Sequence, residues 1–240
     1  MCGVRKDPPV THSIPAPALP VATRTLIAEA DAFLLDFNGT LSDDEQLLAE
    51  LVAEISEQEL GVAVSAARYF AEFAGFTEEH MFGVLAAEAS GQAPSAEYLF
   101  DRFNARYLER TAAHSTITPA ARAFIASATA AGKRLAVVTA ASRQTVVPAL
   151  EQAGIGAAFE TVVALEDVAS SKPDPECYLR AAAELGIEPI RAVAFEDSRT
   201  GIRAARGAGV PTVAVLGSLD LAAASELTPH VVTRLDPALL

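Results

Sequence analysis

Five short apolar stretches constrain the fold of this chain more than any other feature. One runs from Ala32 to Leu35, and four follow later in the chain: RLAVVT (134–139), ETVVA (160–164), RAVAFE (191–196) and PTVAVL (211–216). All five are apolar without alternation, and the four later ones are β-branched, which is typical of strands covered on both faces. Helical patterns separate several of them. Strands that alternate with helices predict an α/β domain with a mainly parallel sheet.

The segment 42–116 interrupts this alternation and contains no convincing strand pattern. Ser42 and Glu45 fit a capping box ahead of apolar residues at helical spacing. Thr77 and the Pro-Ser pair at 94–95 mark two further helix starts. The sequence therefore predicts an all-helical insert after the first strand.

The rest of the chain divides around this insert. Residues 25–41 and 117–240 carry the strand and helix patterns of the α/β core. Residues 1–24 contain five prolines and no continuous apolar stretch. Such a composition predicts a disordered leader rather than a secretory signal.

Charge and composition exclude several classes of partner. Thirty-one acidic residues against 18 basic ones give the chain a net charge of −13, which repels nucleic acid and anionic membranes. No apolar run approaches the length of a membrane span. Two cysteines, Cys2 and Cys177, form no disulfide framework, so we expect a reducing, cytoplasmic location. The sequence does not indicate an oligomeric state.

Polar groups stand where the predicted strands end. Asp36, Thr139, Glu196 and Asp197 follow or finish three of them, and Lys172 lies in the proline-rich loop after another. In open parallel sheets the reactive site lies beyond the carboxyl ends of the strands. Carboxylates without a histidine cluster suit Mg²⁺, and a lysine and a hydroxyl suit phosphate oxygens. These residue types favour magnesium-assisted phosphoryl transfer through an aspartate nucleophile.

Four motifs in order, DFNGTL, VVTAAS, SKPDP and FEDSRTGI, resemble those of the haloacid-dehalogenase-like (HAD) superfamily. The resemblance is strongest to its β-phosphoglucomutase and sugar-phosphatase branch. It covers nearly all of the chain from about residue 30 onward, and the helical insert 42–116 matches the mobile cap of that branch. The resemblance implies a doubly wound, Rossmann-like core with an inserted helical cap.

The resemblance also implies roles for individual residues. Asp36 would be the nucleophile, with Asn38 and Lys172 as further catalytic residues. The implied Mg²⁺ site consists of Asp36, the backbone carbonyl of Asn38, Asp197 and, as a further ligand or a water holder, Glu196. The implied phosphate site consists of Thr139, the backbone of Ala140, and Lys172.

Asn38 departs from the pattern of the family. Phosphatases and mutases of this family usually have a second aspartate there, which protonates the leaving group and then activates water. An amide can keep the backbone contact to Mg²⁺ but cannot transfer a proton, and general acid–base catalysis is typically worth about 10²–10⁴-fold. We therefore expect slow chemistry, good leaving groups, or help from Asp43 or Asp44. An engineered change from aspartate to asparagine, made to trap a complex, would leave the same residue at this position.

The cap lacks two features of the mutases. Its early part, DDEQLLAE, has no histidine, and the stretch FAGFTEEH offers no cation for a second phosphate. The sequence thus predicts a Mg²⁺-dependent phosphatase acting on a small phosphorylated metabolite, such as a sugar phosphate. A catalytically impaired protein that binds a phosphate ligand is the alternative from another class, and a phosphosugar mutase is disfavoured.

Overall fold

One parallel sheet forms the centre of the molecule, which a computed structural model describes over residues 19–240. Within that range six strands form the sheet: β1 Ala32–Leu35, β2 Arg134–Val138, β3 Thr161–Val163, β4 Ala192–Glu196, β5 Thr212–Val215 and β6 Val231–Val232. Their order is β3-β2-β1-β4-β5-β6, and all neighbours are parallel. The predicted α/β fold is confirmed, although the two-residue β6 was too short to be predicted.

Helices surround the sheet and build the insert. The described chain contains α1 Val21–Glu29, α2 Glu45–Ile55, α3 Ala66–Arg68, α4 Glu78–Glu88, α5 Ala96–Thr111, α6 Pro119–Ala130, α7 Arg143–Gln152, α8 Glu176–Glu184, α9 Arg199–Gly207 and α10 Leu221–Leu227. Two π-helical turns, Ser56–Leu60 and Tyr69–Phe73, continue α2 and α3. Short 3₁₀ turns lie at Gly156–Ala158, Leu165–Asp167, Pro189–Arg191 and Pro237–Leu239.

Both faces of the sheet are covered, which explains the absence of alternation in the strands. Phe33 of β1 packs on one face with Phe124 of α6 and Phe195 of β4, at ring-centroid distances of 5.2–5.8 Å. On the other face Leu34 packs with Tyr178 of α8. Burying one such side chain contributes about 1.5–3 kcal/mol. The buried strands therefore hold the loops at their carboxyl ends in place.

The insert has a hydrophobic core of its own. Leu51, Phe82, Leu99 and Phe103 from α2, α4 and α5 are buried together. Between β1 and α6 the described chain contains no strand, and only single bridging pairs join Ser42 to the strand-end loops. A separate core allows the insert to act as one body above the sheet.

The prediction of a disordered leader over residues 1–24 is wrong for the last of these residues. Residues 1–18 lie outside the described chain, but α1 already begins at Val21. Thr23 is fully buried, and its Oγ1 lies 3.0 Å from Nδ1 of His230. Contacts with a distant part of the chain, invisible in the local composition, hold these residues against the core.

Helix capping was predicted correctly at two starts in the insert and wrongly at a third. Thr77 and Ser95 each accept a hydrogen bond from the backbone three residues later. Ser42 does not cap α2, because its Oγ contacts Oγ1 of Thr116 at 2.5 Å. The predicted capping box is absent. Ser42 instead links the two segments that connect the core with the insert, through its contact with Thr116.

Candidate active site

Three neighbouring strands end at the same edge of the sheet and bring together the predicted polar residues. Asp36 follows β1, Thr139 follows β2, and Glu196 and Asp197 lie at the end of β4. Because β1 pairs with both β2 and β4, these side chains converge beyond its carboxyl end. All four residues are buried.

Lys172 enters this group from the loop before α8. Its Nζ donates to Asp36 at 2.7 Å, to Glu196 at 2.5 Å and to the carbonyl of Val138 at 2.9 Å. Burial alone would lower the pKa of Lys172, but the carboxylates of Asp36 and Glu196 raise it overall. The buried side chain therefore stays an ammonium, a charge that can be shared with a phosphate oxygen.

The remaining contacts of Glu196 hold the lysine in position. Glu196 is fully buried, and its Oε1 accepts from the Tyr178 hydroxyl at 2.6 Å as well as from Lys172. Its Oε2 accepts from the hydroxyl of Ser198 at 3.3 Å. A carboxylate with these donors orients its neighbours, in addition to any contact with a metal ion.

The acidic cluster fits a hard divalent cation. Carboxylate oxygens of Asp36, Glu196 and Asp197 all lie within 4.8 Å of one another. Burial, reinforced by the Glu196 carboxylate, raises the pKa of Asp36 well above its usual value and that of Asp197 to about 7. Added positive charge would favour the ionised forms. Oxygen donors of this kind are those that Mg²⁺ prefers.

A backbone turn at Gly39 makes room for Asp197. Gly39 has φ +72°, and a Cβ there would lie 2.1 Å from Oδ2 of Asp197. The same Oδ2 accepts from the backbone N–H of Ser218 at 2.9 Å and from its hydroxyl at 2.5 Å. Ser218 orients this carboxylate, and sequence reasoning missed it because no motif marks the loop after β5.

Asn38 is tied to a second buried acid. Its Nδ2 donates to Oδ2 of Asp44 at 2.8 Å, and the Tyr107 hydroxyl donates to the same oxygen at 2.6 Å. The backbone N–H of Gly39 donates to the other oxygen at 3.2 Å. Of the two acids considered as substitutes for a proton donor, Asp44 thus contacts Asn38, whereas Asp43 is exposed.

The loop after β2 adds donors to the cleft that Asp36 lines. Thr139 Oγ1 accepts from the backbone N–H of Ala141 at 3.0 Å, which leaves its hydroxyl hydrogen free to donate. Ser142 caps α7, whose N-terminus carries partial positive charge. Thr139, Ala140 and Lys172 line one cleft with Asp36, as a phosphate site requires.

The insert closes this cleft. Thr200 Oγ1 donates to the carbonyl of Gly75 at 2.6 Å, and a Cβ on Gly75 would lie 2.5 Å from Cβ of Ser198. The cavity measures about 30 Å³, enough for one or two water molecules. This space is smaller than a phosphorylated metabolite.

Two acids of the insert reach the cleft and were not predicted as site residues. Glu45 was expected only in a capping box, yet it lines the cleft, and within residues 19–240 its buried Oε2 has no hydrogen-bond partner. Burial, then the nearby Asp197 and Asp44, raise the pKa of Glu45 well above its usual value. Glu78 also lines the cleft. Each follows or precedes another acid in the sequence, so neither stood out from the surface charge of the insert.

Comparisons with known proteins agree with this geometry. The sequence profile of the haloacid dehalogenase-like hydrolases matches residues 33–215. Protein CbbY of Rhodobacter capsulatus is 38% identical over 133 residues, which cover 52% of this chain and 59% of that protein. The plasmid phosphoglycolate phosphatase of Cupriavidus necator is 29% identical over 232 residues, covering 89% of this chain and 99% of that protein.

Solved structures show the same fold. The crystal structure of CbbY from Rhodobacter sphaeroides in complex with phosphate matches with a TM-score of 0.74 and 28% identity, over 86% of this chain and 95% of that one. A mutant of that protein in complex with xylulose-(1,5)-bisphosphate matches with a TM-score of 0.75, 29% identity and the same coverage. In residues 19–240 no helix has both the length and the apolar character needed to cross a membrane. With its profile match, its fold and its strand-end cluster, the chain belongs to the haloacid dehalogenase-like hydrolase family.

Proposed function

We propose that this hydrolase is a Mg²⁺-dependent phosphatase that acts on a small phosphorylated metabolite through an aspartyl-phosphate on Asp36. The observation that carries the proposal is the buried contact of Lys172 with Asp36, at 2.7 Å, inside the cluster that includes Asp197. The phosphatase class is further supported by the named phosphatase among its relatives. The two-cysteine composition supports a cytoplasmic location.

Two displacements at phosphorus would make up the reaction. An oxygen of the Asp36 carboxylate attacks phosphorus, and the bond from phosphorus to the leaving alcohol breaks. Water then attacks the same phosphorus, and the bond to the Asp36 oxygen breaks, which releases phosphate and restores the carboxylate. Lys172 and the Thr139 hydroxyl hold the phosphoryl oxygens in line.

A cation between the strand ends would complete the site. Asp36, Asp197 and the backbone carbonyl of Asn38 are the proposed ligands, with Glu196 nearby. Bound Mg²⁺ would neutralise the charge that develops on the phosphoryl oxygens. The amide of Asn38 cannot give a proton to the leaving group. Protonation of the leaving group therefore stays the slow part of the reaction.

A protein that binds a phosphate ligand without turnover is the second candidate. The hydrogen bond from Asn38 to Asp44 favours it, because it commits the amide to a structural contact. The mutase alternative is disfavoured, because Lys172 is the one cation among the described residues that line the cleft.

Release of phosphate from p-nitrophenyl phosphate separates the two candidates. We expect steady-state turnover with Mg²⁺, loss of turnover in EDTA, and recovery when Mg²⁺ is restored. Asp36→Ala should abolish turnover and capture of beryllium fluoride, whereas Asp43→Asn, at an exposed position, should change neither. Turnover retained by Asp36→Ala would remove the central claim. Stoichiometric binding of phosphate without turnover by the wild type would establish the binding protein instead.

A further inference from the structure

Glu78, the first residue of α4, is a buried acid with an unused oxygen. The residue is 6% exposed, and its Oε2 has no hydrogen-bond partner among the described residues. A buried acceptor without a donor is destabilising, and more so when the group is charged. Such a group in a folded protein requires an explanation, and an absent ligand is one.

Glu78 lies in the cleft in which the proposed reaction takes place. It lines the same cleft as Asp36 and Lys172, but from the insert rather than from the strand ends. Its neighbours on that wall are largely apolar: Leu48, Tyr69, Phe76, Met81 and Phe103. When a phosphate occupies the strand-end site, this wall faces the other part of the substrate. Glu45, the other acid of the insert in the cleft, lies beside Asp197 at the strand ends, so Glu78 is the acid that this part of the substrate would meet.

The charged side chains of the cleft disfavour a second anionic group on the substrate. Its lining contains four carboxylates, Asp36, Glu45, Glu78 and Asp197, against the single ammonium of Lys172. The arginines of the insert are engaged elsewhere. Arg68, Arg102, Arg106 and Arg110 form ion pairs with glutamates of the insert and do not line the cleft. A substrate with negative charge at its far end would meet repulsion there.

We propose that Glu78 determines specificity by accepting a hydrogen bond from a hydroxyl or an ammonium group on the leaving part of the substrate. The substrates would be monophosphates of polyols, sugars or amino alcohols, and bisphosphates and phosphorylated carboxylic acids would be rejected. This inference rests on the proposed phosphatase function. Burial raises the pKa of Glu78 to about 7, and a donor from the substrate would offset that loss of solvation.

A matched series of phosphate esters tests the proposal. The series comprises propyl phosphate, 3-hydroxypropyl phosphate, 3-aminopropyl phosphate and propane-1,3-diol bisphosphate, with homologues of up to six carbons in case the first are too short. For the wild type we expect kcat/KM for the best donor-bearing ester to exceed that of its alkyl ester at least tenfold, a difference typical of one hydrogen bond to a charged group. The bisphosphates should be the poorest substrates. An ammonium preference would point to amino alcohols, and a hydroxyl preference to polyols and sugars.

Variants at adjacent positions show whether Glu78 causes the preference. Glu78→Gln keeps the shape and removes the charge, so the ammonium ester should lose most of its advantage. Glu78→Arg should reverse the order and favour the bisphosphates. Glu79 is exposed, and Glu79→Gln should leave the order unchanged. Equal kcat/KM for donor-bearing and alkyl esters, or an order unchanged in both Glu78 variants, would overturn the proposal.

Failure of this inference can be told apart from failure of the phosphatase proposal. Wild-type turnover of p-nitrophenyl phosphate, which has no such donor, establishes phosphatase activity independently. If that turnover is present and the ester series shows no donor preference, only the specificity proposal falls. If there is no turnover, the same esters are ranked by calorimetric binding with Mg²⁺ present. Tighter binding of donor-bearing esters, lost in Glu78→Gln, would support the role of Glu78, and equal binding would overturn it.

Discussion

At the residue scale, the contact between Asn38 and Asp44 decides what the first motif can do. The two side chains lie 2.8 Å apart in the interior, where an amide N–H meets a carboxylate oxygen. Burial raises the pKa of Asp44 despite its hydrogen bonds, the one from Tyr107 first among them. An aspartate at position 38 would place a second carboxyl at that distance, and like charges so close cannot both ionise. The neutral, hydrogen-bond-donating side chain of Asn38 therefore complements the carboxylate of Asp44.

Asn38→Asp alone should thus raise turnover less than the double change Asn38→Asp with Asp44→Asn. In the double variant the new carboxyl keeps a neutral neighbour and is free to exchange its proton with substrate. General acid–base help of about 10²–10⁴-fold becomes available, mainly for alkyl phosphates, whose leaving groups are poor. Steady-state kcat on an alkyl phosphate and on p-nitrophenyl phosphate measures the difference.

Asp44→Asn by itself is the control for that comparison. It weakens the contact with Asn38 but adds no acid, so it should give no gain on either substrate. A double variant slower than the wild type on both substrates would mean that Asn38 serves a different reaction.

At the element scale, the contact of the insert with α9 controls access to the site. Gly75 adopts φ +82° and lies against Ser198 and Thr200 at the start of that helix. Only a residue without a Cβ allows this approach. Loops that close over an active site exclude water and complete the site, so this small contact area affects the reaction more than the stability.

Gly75→Ala should therefore hold the insert away from the core. A displacement of about 1 Å can cost on the order of 10²-fold in rate, and we expect kcat/KM to fall to that extent. The positive φ of Gly75 also strains an alanine there, so the thermal midpoint should fall by about 2–4 °C while the insert keeps its separate hydrophobic core. Activity and thermal unfolding measured on the same preparation test both statements.

Gly83→Ala is the matched control within the same insert. Gly83 lies in α4, and a Cβ there would meet nothing within 4 Å. The change should leave kcat/KM unaltered and add about 0.5–1 kcal/mol of stability from helix propensity. Equal losses of activity in both variants would refute the role of Gly75.

At the scale of the whole molecule, buried acids in the cleft oppose folding as pH rises. Glu78 has its pKa raised from 4.5 to about 7 by burial, with Glu166 and Asp44 adding to the effect. The native state then binds more protons than the unfolded state between these values. Stability from this group is present below pH 4.5 and is lost as pH rises towards 7.

Glu78→Gln should therefore gain stability relative to the wild type as pH rises through this window. The full difference corresponds to roughly 3 kcal/mol. Free energies of unfolding in urea at several pH values, in EDTA, measure it. Glu79→Gln should show no such trend, because Glu79 is exposed. Parallel curves for the wild type and Glu78→Gln would contradict the burial argument.

Local patterns determined the α/β class, because strands buried on both faces must be short, apolar and without alternation. They also located the helical insert and two of its capped helix starts, at Thr77 and Ser95, since a cap depends on residues within one turn. The four motifs likewise marked Asp36 and Lys172, because both stand in characteristic local stretches.

Only the tertiary structure decided which groups meet across distance. The contact between Asn38 and Asp44, the support of Asp197 by Ser218, and the unused oxygen of Glu78 all depend on how separate loops approach one another. The position of α1 has the same cause, because His230, more than 200 residues away, contacts Thr23 of this helix. From composition alone, an acid in the insert is expected to be a surface charge. The solvation and the partners of that acid are set by the packing of the whole chain.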